Sequence, residues 1–294
     1  MSPNWKSSAR VALVALTGIT AVWGGTFLVV QDAVMRMPVM DFLAVRFTVA
    51  ALVMVAIRPK CLRGMTRLGA WRAVMLGIVL GMGYIAQTFG LQRTSAAVSG
   101  FITGMFIVLT PLVSWIVLRR RVGRNTWLAV ALATVGLALL SLRGWSVGIG
   151  ELLTLACALF FALHIVGLGE WSAQYDAYSF ALLQIAVVAV IALAMAFPGG
   201  ITLPPDEGVW AAVGITAVLG TAAGFLVQTW AQSLLSPTRA ALVMTMEPVF
   251  AGLFAVVIGG THLTLRTIGG AACVLIAMLI AELKATPPVP RLEA

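Results

Sequence analysis

Ten runs of apolar residues, each of about 20, divide this chain of 294 residues. They fall at approximately 9–30, 38–57, 71–91, 94–117, 126–142, 148–169, 177–197, 208–232, 237–259 and 266–283. A helix rises about 1.5 Å per residue, so about 20 residues cross the ~30 Å hydrocarbon core of a bilayer. Backbone inside a bilayer finds no water to bond, which leaves only helices and closed barrels as spanning forms. Barrel strands alternate apolar with polar residues, and these runs are continuous. The expectation is an all-α integral membrane protein with ten transmembrane helices. The composition agrees: 61% hydrophobic and 10% charged, where a soluble domain carries about 25% charged residues.

The first run follows Lys6 and Arg10, as a signal peptide would. It is longer than a cleavable apolar core and no A-x-A site closes it, so it is read as a retained span. The tail from Thr286 to Pro290 is proline-rich and cannot continue a helix, so residues 286–294 are expected to be disordered.

Loop charges set an expected orientation. With the N-terminus in the cytoplasm, the inner segments hold fourteen of the nineteen Lys and Arg residues, among them Arg58, Lys60, Arg63, Arg67, Arg72, Arg119, Arg120, Arg121, Arg124, Arg239, Lys284 and Arg291. The outer segments hold Arg36, Arg93, Arg143 and Arg266. The positive-inside rule then places both termini in the cytoplasm of a cell inner (plasma) membrane. The loop near Glu170–Asp176 is assigned to the inside by parity alone. The net charge of +9 sits in gaps between apolar runs, which argues against a nucleic-acid partner. The three cysteines, Cys61, Cys157 and Cys273, form no disulfide framework, and two histidines without a ligand cluster predict no metal site. Trp71, Trp127 and Trp210 lie at run ends, where interfacial tryptophans belong.

The chain repeats itself. Residues 83–89 read G-Y-I-A-Q-T-F and residues 224–230 read G-F-L-V-Q-T-W, 141 positions apart. Other anchors keep the same order: Trp23-Gly24 with Phe161-Ala162 and Arg46 with Gln184, both at an offset of 138, and Pro111 with Pro248 at 137. Each unit holds five runs, and five is odd, so the second copy enters the membrane inverted. Residues 1–145 and 146–285 are the two expected units. Inverted repeats allow two mirror-related states, each open to one side, which is the logic of alternating access.

These residues also carry a resemblance. W-G-G-T-F at 23–27 with R-F at 46–47, T-S-A at 94–96, F-I-T-G-M at 101–105 and Pro111 resemble the EamA-type drug/metabolite transporters. So do residues 150–164, Gln184 and R-A-A-L-V-M-T-M-E-P-V-F at 239–250. The family often has Gly-Glu after the ninth helix, where this chain has Gly260-Thr261. The resemblance implies ten helices in two inverted five-helix units. Helices 1, 3, 4, 6, 8 and 9 would line a central cavity, with helices 5 and 10 outside it. Many such proteins export amino acids, and the chain resembles the aromatic amino-acid exporters among them.

Several residues are candidates for the cavity. Glu247 lies mid-span, where a charge costs about 2.5–3.5 kcal/mol, so it either titrates, binds a substrate ammonium or is a structural acid beside Pro248. Arg46 could bind a substrate carboxylate, but it is read first as a structural charge, pinned to carbonyls or an acid. His164 is either a cavity residue or a satisfied buried histidine. Gln87 and Gln228 each share a helix face with a ring three residues earlier, Tyr84 and Phe225. That pairing suits a zwitterion with an apolar side chain, and an interhelical hydrogen bond is the alternative. Orientation sets the two glutamines at opposite ends of one path, with the rings nearer its middle. Trp23, Phe101, Met105, Phe161 and Trp230 complete a possible aromatic and thioether lining. Gly77/Gly81, Gly100/Gly104 and Gly220/Gly224 form G-x-x-x-G faces for close helix approach. Pro111 and Pro248 are the expected hinges of the fourth and ninth helices.

The function expected from all this is a secondary transporter that exports small amphipathic metabolites, amino acids and possibly aromatic ones first. Its partners would be a small-molecule substrate and the lipid bilayer, and the sequence specifies no oligomeric state. No G-x-x-x-x-G-K-[ST] phosphate loop occurs, so ATP is not expected to drive it and no cofactor is expected. Alternatives are a nucleotide-sugar or drug transporter of the same fold, and an integral-membrane enzyme. The scattered acids and the histidine count disfavour the enzyme.

Overall fold

A computed structural model of the chain describes residues 5–119, 123–143, 146–235, 240, 243, 244, 246–260 and 264–282. Arg120, Arg121, Arg239, Thr261, Lys284, Arg291 and the tail 286–294 lie outside the described residues. Among the described residues, twelve α-helices have defined bounds, in this order. The first half holds α1 (Trp5–Arg36), α2 (Val39–Ile57), α3 (Arg67–Leu91), α4 (Ala96–Thr103), α5 (Phe106–Leu118) and α6 (Arg124–Ser141). The second holds α7 (Ile149–Trp171), α8 (Ala177–Ala196), α9 (Glu207–Ile215), α10 (Gly224–Leu234), α11 (Met246–Val257) and α12 (Leu265–Glu282). A π-helical segment, Thr216–Ala223, joins α9 to α10. The one strand pair among the described residues is a clip of two residues a side, Leu142–Arg143 against Ser146–Val147, at the join of the two halves.

Among the described residues, seven helical segments are long and apolar enough to cross a membrane; α4–α5 and α9–π–α10 each count as one of them. The fifth, ninth and tenth expected runs fall on shorter apolar helices, Trp127–Gly136, Met246–Val257 and Leu265–Ala277.

Side-chain caps start the helices where the sequence supplies Ser, Thr or Asp. Thr66 accepts from the Gly69 amide, Ser95 from Val98, Asp176 from Ser179 and Asp206 from Val209. Each cap satisfies one amide that has no partner within the helix. Pro38 instead precedes α2, where a missing N–H is not felt.

The fourth run is interrupted at Gly104–Met105 rather than at Pro111, which sits inside the continuous α5. There the Met105 amide bonds to the Ile102 carbonyl and the Ile107 amide to that of Gly104. These i→i+3 bonds tighten the turn. Pro248 is the third residue of α11, with residues 240, 243 and 244 also helical before it.

The packing pairs each helix with partners that repeat. α1 packs on α11 and α10, while α7, its sequence counterpart, packs on α5 and α3. α2 packs on the π segment as α8 packs on α3. The pairs α2–α8 and α6–α12 each join a helix to its own counterpart.

Polar contacts tie the helix ends together. Arg36, at the end of α1, reaches the α9 cap Asp206 at 2.8 Å and also contacts Asp32. At the other end of the bundle Arg72 donates to Gln174 Oε1 at 2.7 Å and to the Tyr175 hydroxyl at 2.8 Å. Arg58 meets Asp176 there at 3.1 Å. Arg36 and Gln174 are 138 apart, the offset of the sequence repeat.

The Val209 amide, and then the Arg36 guanidinium, hold the Asp206 carboxyl below its usual value. A lowered carboxylate contributes stability above its unfolded pKa and loses it as pH falls through the folded one. Asn caps helices about as well as Asp, so Asp206→Asn removes the ion pair and keeps the cap. The melting-temperature gap between wild type and Asp206→Asn is therefore expected to be constant from pH 7 to 5. It should close as pH falls below about 3.9, the usual aspartate value. A gap that persists at pH 3 would sink this account.

Candidate functional site

A cavity of about 580 Å³ lies between α1, α2, α3, α5, α7, α10 and the start of α11, including its mouth. About 50 Å³ of it admits the centre of a water-sized sphere. Neither α6 nor α12 contributes a residue to its wall.

A row of four rings forms its apolar wall. Trp23 lies 5.8 Å from Phe225 between ring centroids, Phe225 lies 5.9 Å from Tyr84, and Tyr84 lies 5.5 Å from Phe161. The tilted and edge-on angles, 44° to 70°, suit the ring quadrupoles. Trp23 and Phe161 are repeat mates, and so are Tyr84 and Phe225. Exchanging the two halves of the sequence therefore returns the same row read backwards.

The glycines that open the repeated phrase explain the close fit. A Cβ on Gly83 would lie 2.6 Å from Phe161 Cε1, and one on Gly224 would lie 2.8 Å from Trp23 Nε1. Each phrase thus supplies one ring and, one residue earlier, the bare backbone on which the next ring rests.

The equivalence ends at the π segment. Trp23 Nε1 donates to the Gly220 carbonyl at 2.7 Å, a bond that Phe161 cannot match. A π-helix shifts carbonyls out of the i→i+4 ladder and frees them for such partners. Arg46 meets the same segment: its Nε donates to Thr221 Oγ1 at 2.9 Å, and the Thr221 hydroxyl donates to the Thr216 carbonyl at 2.8 Å. The Arg46 guanidinium also stands 4.9 Å from the Tyr84 ring centroid, within cation–π range. Arg46 is 3% exposed. It is pinned, and it also lines the cavity.

His164 Nε2 and Gln184 Oε1 are 2.7 Å apart. Gln184 Nε2 donates to the Phe180 carbonyl at 2.8 Å, so its Oε1 is the acceptor and the imidazole carries a proton on Nε2. The His164 ring stands edge-on to Phe225. Glu247 is 6% exposed on the opposite wall. Among the described residues it has no hydrogen-bond or ion-pair partner. Gln228 donates to Gln232, which donates to the Ile165 carbonyl, while Gln87 reaches Thr103 only at 3.4 Å.

The amino-acid sequence matches a model described as the EamA-like transporter family twice, over residues 10–142 and 148–282. The chain belongs to that family. An uncharacterized transporter of Archaeoglobus fulgidus is 33% identical over 278 residues, 93% of this chain and 85% of that protein. A protein of known crystal structure shares the fold with a TM-score of 0.66 at 20% identity, over 94% of this chain and 97% of the other. The chain is a multi-pass membrane transporter of the EamA-like family and not an enzyme.

Of the expected cavity residues of this EamA-like transporter, Trp23, Tyr84, Gln87, Phe161, His164, Phe225, Gln228 and Glu247 line it. Phe101, Met105 and Trp230 do not. Phe101 packs against Gly252 of α11, and Met105 sits at the α4–α5 interruption in an apolar cluster with Phe106 and Ala162. Trp230 follows Gln228 by two residues, about 200° around the helix, and packs beside that same cluster. Gln87 and Gln228 both line this one cavity.

Residues that went unpredicted follow from helical spacing. Trp23, Thr26, Phe27 and Val30 are one face of α1, and Leu80, Tyr84, Gln87 and Leu91 one face of α3. Extending each anchor by three, four and seven positions would have found them. Phe106, Ile165 and Met244 complete the wall, and Arg46 brings in α2, a helix not expected on the cavity.

Proposed function

We propose that this transporter exports small amphipathic metabolites, amino acids with an aromatic or large apolar side chain first among them, by alternating access across the inner (plasma) membrane. The observation that carries the reading is an acid with no counter-ion among the described residues, Glu247, in one cavity with a four-ring wall. A buried carboxylate is costly unless paired, and a substrate ammonium would pair it. The rings would take the side chain, and Arg46, His164, Gln87 or Gln228 the carboxylate. The little free space inside fits a route that widens only as helices part.

Ten spans in two inverted five-helix units are part of the same proposal. The repeated pairings of helices and the reversible row of rings support it. Both termini would be cytoplasmic. Arg36 then meets Asp206 across two outer loops, and Arg72 meets Gln174 across two inner ones, so parity and contacts agree.

Purified protein in liposomes, offered labelled aromatic amino acids, aliphatic amino acids, nucleotide sugars and cationic drugs, tests the reading. Uptake of aromatic amino acids at least ~10-fold above the other classes is expected, which is about 1.4 kcal/mol of discrimination. Uptake confined to nucleotide sugars would favour the second reading, for which Arg46 is the phosphate-binding candidate. That arginine is already bonded to Thr221 and stacked on Tyr84, which is why the amino-acid reading comes first.

A further inference from the structure

A second cleft lies on the outer side of the bundle, along the seam of α3 and α7, with a volume of about 770 Å³ including its mouth. Its wall is almost wholly apolar. Ala86 and Ala156 lie between the larger Met82, Phe89, Ile149 and Phe160. From Ile149 to Phe160 the helix rises about 16 Å, close to the ~15 Å hydrocarbon depth of a single leaflet. One end of the cleft is not apolar: Arg93, just beyond the last turn of α3, closes it at the level where headgroups lie.

Arg93 is exposed and has no carboxylate within ion-pair distance among the described residues. Its Nη1 donates to the Phe89 carbonyl at 2.8 Å, and its guanidinium stands 5.9 Å from the Phe89 ring centroid. That bond holds the cation at the mouth of the cleft with further N–H donors left over. A planar guanidinium with free donors matches a phosphate diester. The repeated fold does not by itself demand the arrangement, because the counterpart of Arg93 at the 141 offset is Leu234.

We propose that this cleft is a phospholipid site. One acyl chain lies between α3 and α7, and the lipid phosphate sits on the Arg93 guanidinium. The occupant is a membrane lipid of the leaflet at the α3 C-terminal end. The site is separate from the central cavity, although α3 and α7 also carry Tyr84, Gln87, Phe161 and His164 on their inner faces. The proposal rests on the helices being spans and is independent of which solute is carried.

Native mass spectrometry of the full chain, released from detergent with added palmitoyl-oleoyl phosphatidylglycerol, tests it. The wild type is expected to retain one lipid. Arg93→Gln, which removes the phosphate contact, and Ala156→Phe, which fills the cleft, should each lower its occupancy at least fivefold. Diacylglycerol with the same chains should be retained at least fivefold less than the phospholipid, and the distant Arg63→Gln should behave as wild type. Arg93→Gln decides the matter alone if Ala156→Phe gives no single gel-filtration peak. Undiminished occupancy in Arg93→Gln, or equal retention of diacylglycerol, overturns the proposal.

Discussion

Gly224→Ala is expected to lower stability by about 1–3 kcal/mol and to stop transport, although alanine is the better helix former. Two effects oppose each other. Replacing glycine by alanine inside a helix gains about 1 kcal/mol. Against this, the new Cβ would lie 2.8 Å from Trp23 Nε1 and 3.2 Å from Cε2 and Cζ2. Trp23 is buried, bonded to the Gly220 carbonyl and packed on Phe225, so it has nowhere near to go. Overpacking of this kind costs about 1–3 kcal/mol, and losing the indole bond adds about 1 kcal/mol. The clash therefore wins. A double-mutant cycle isolates it: adding Trp23→Phe to Gly224→Ala should recover part of the stability that Gly224→Ala loses, because the smaller ring clears the methyl group. Strictly additive losses in thermal unfolding would mean that the two residues do not meet.

Glu247→Gln is expected to leave the protein folded and to weaken transport of amines by about 30-fold. Glutamine keeps the shape, and no buried partner among the described residues is stranded by the change. A charge-assisted hydrogen bond contributes about 1.5–3 kcal/mol, and 2 kcal/mol is roughly 30-fold. The sharper readout is selectivity. Wild type should prefer an aromatic amino acid to its des-amino acid analogue, and Glu247→Gln should take both alike. Equal preference for amine over des-amino analogue in both proteins would remove Glu247 from the binding site and leave it a structural acid.

Much of this was legible in the residue order, and the reasons are physical. Long apolar runs fix helices because backbone in a bilayer has no other way to satisfy itself. The repeated phrase identified both central rings and the bare backbone beside each, because a glycine under a ring leaves the same trace in both halves. Three things were hidden. The interruption at Gly104–Met105 carries no proline, and the nearby Pro111 drew attention away from it. The π segment at Thr216–Ala223 is apolar and small, with nothing in its composition to separate it from an α-helix. That segment, in turn, decides where Arg46 points. A lone arginine in a span reads as a pin, and only its bond to Thr221 shows that the pin also faces the cavity. Phe101, Met105 and Trp230 were misplaced because residue type was weighed without helical phase. Around Gly104–Met105 the phase is lost at the interruption, and at Trp230 it points the ring away from Gln228.

The bond from Trp23 to the Gly220 carbonyl has a consequence for the resting carrier. In a protein built from two matched inverted halves, an empty carrier would populate its two orientations about equally if the halves were identical. Here one half holds an indole anchored on a π turn, and the other holds Phe161 beside the uninterrupted α3. A hydrogen bond made in only one orientation is worth about 1 kcal/mol, a population ratio of about five to one. On the alternating-access proposal, an empty carrier that makes this bond in only one orientation would rest mainly on that side of the membrane. The solute gradient still sets the direction of net transport; the indole nitrogen would set only where the empty carrier rests.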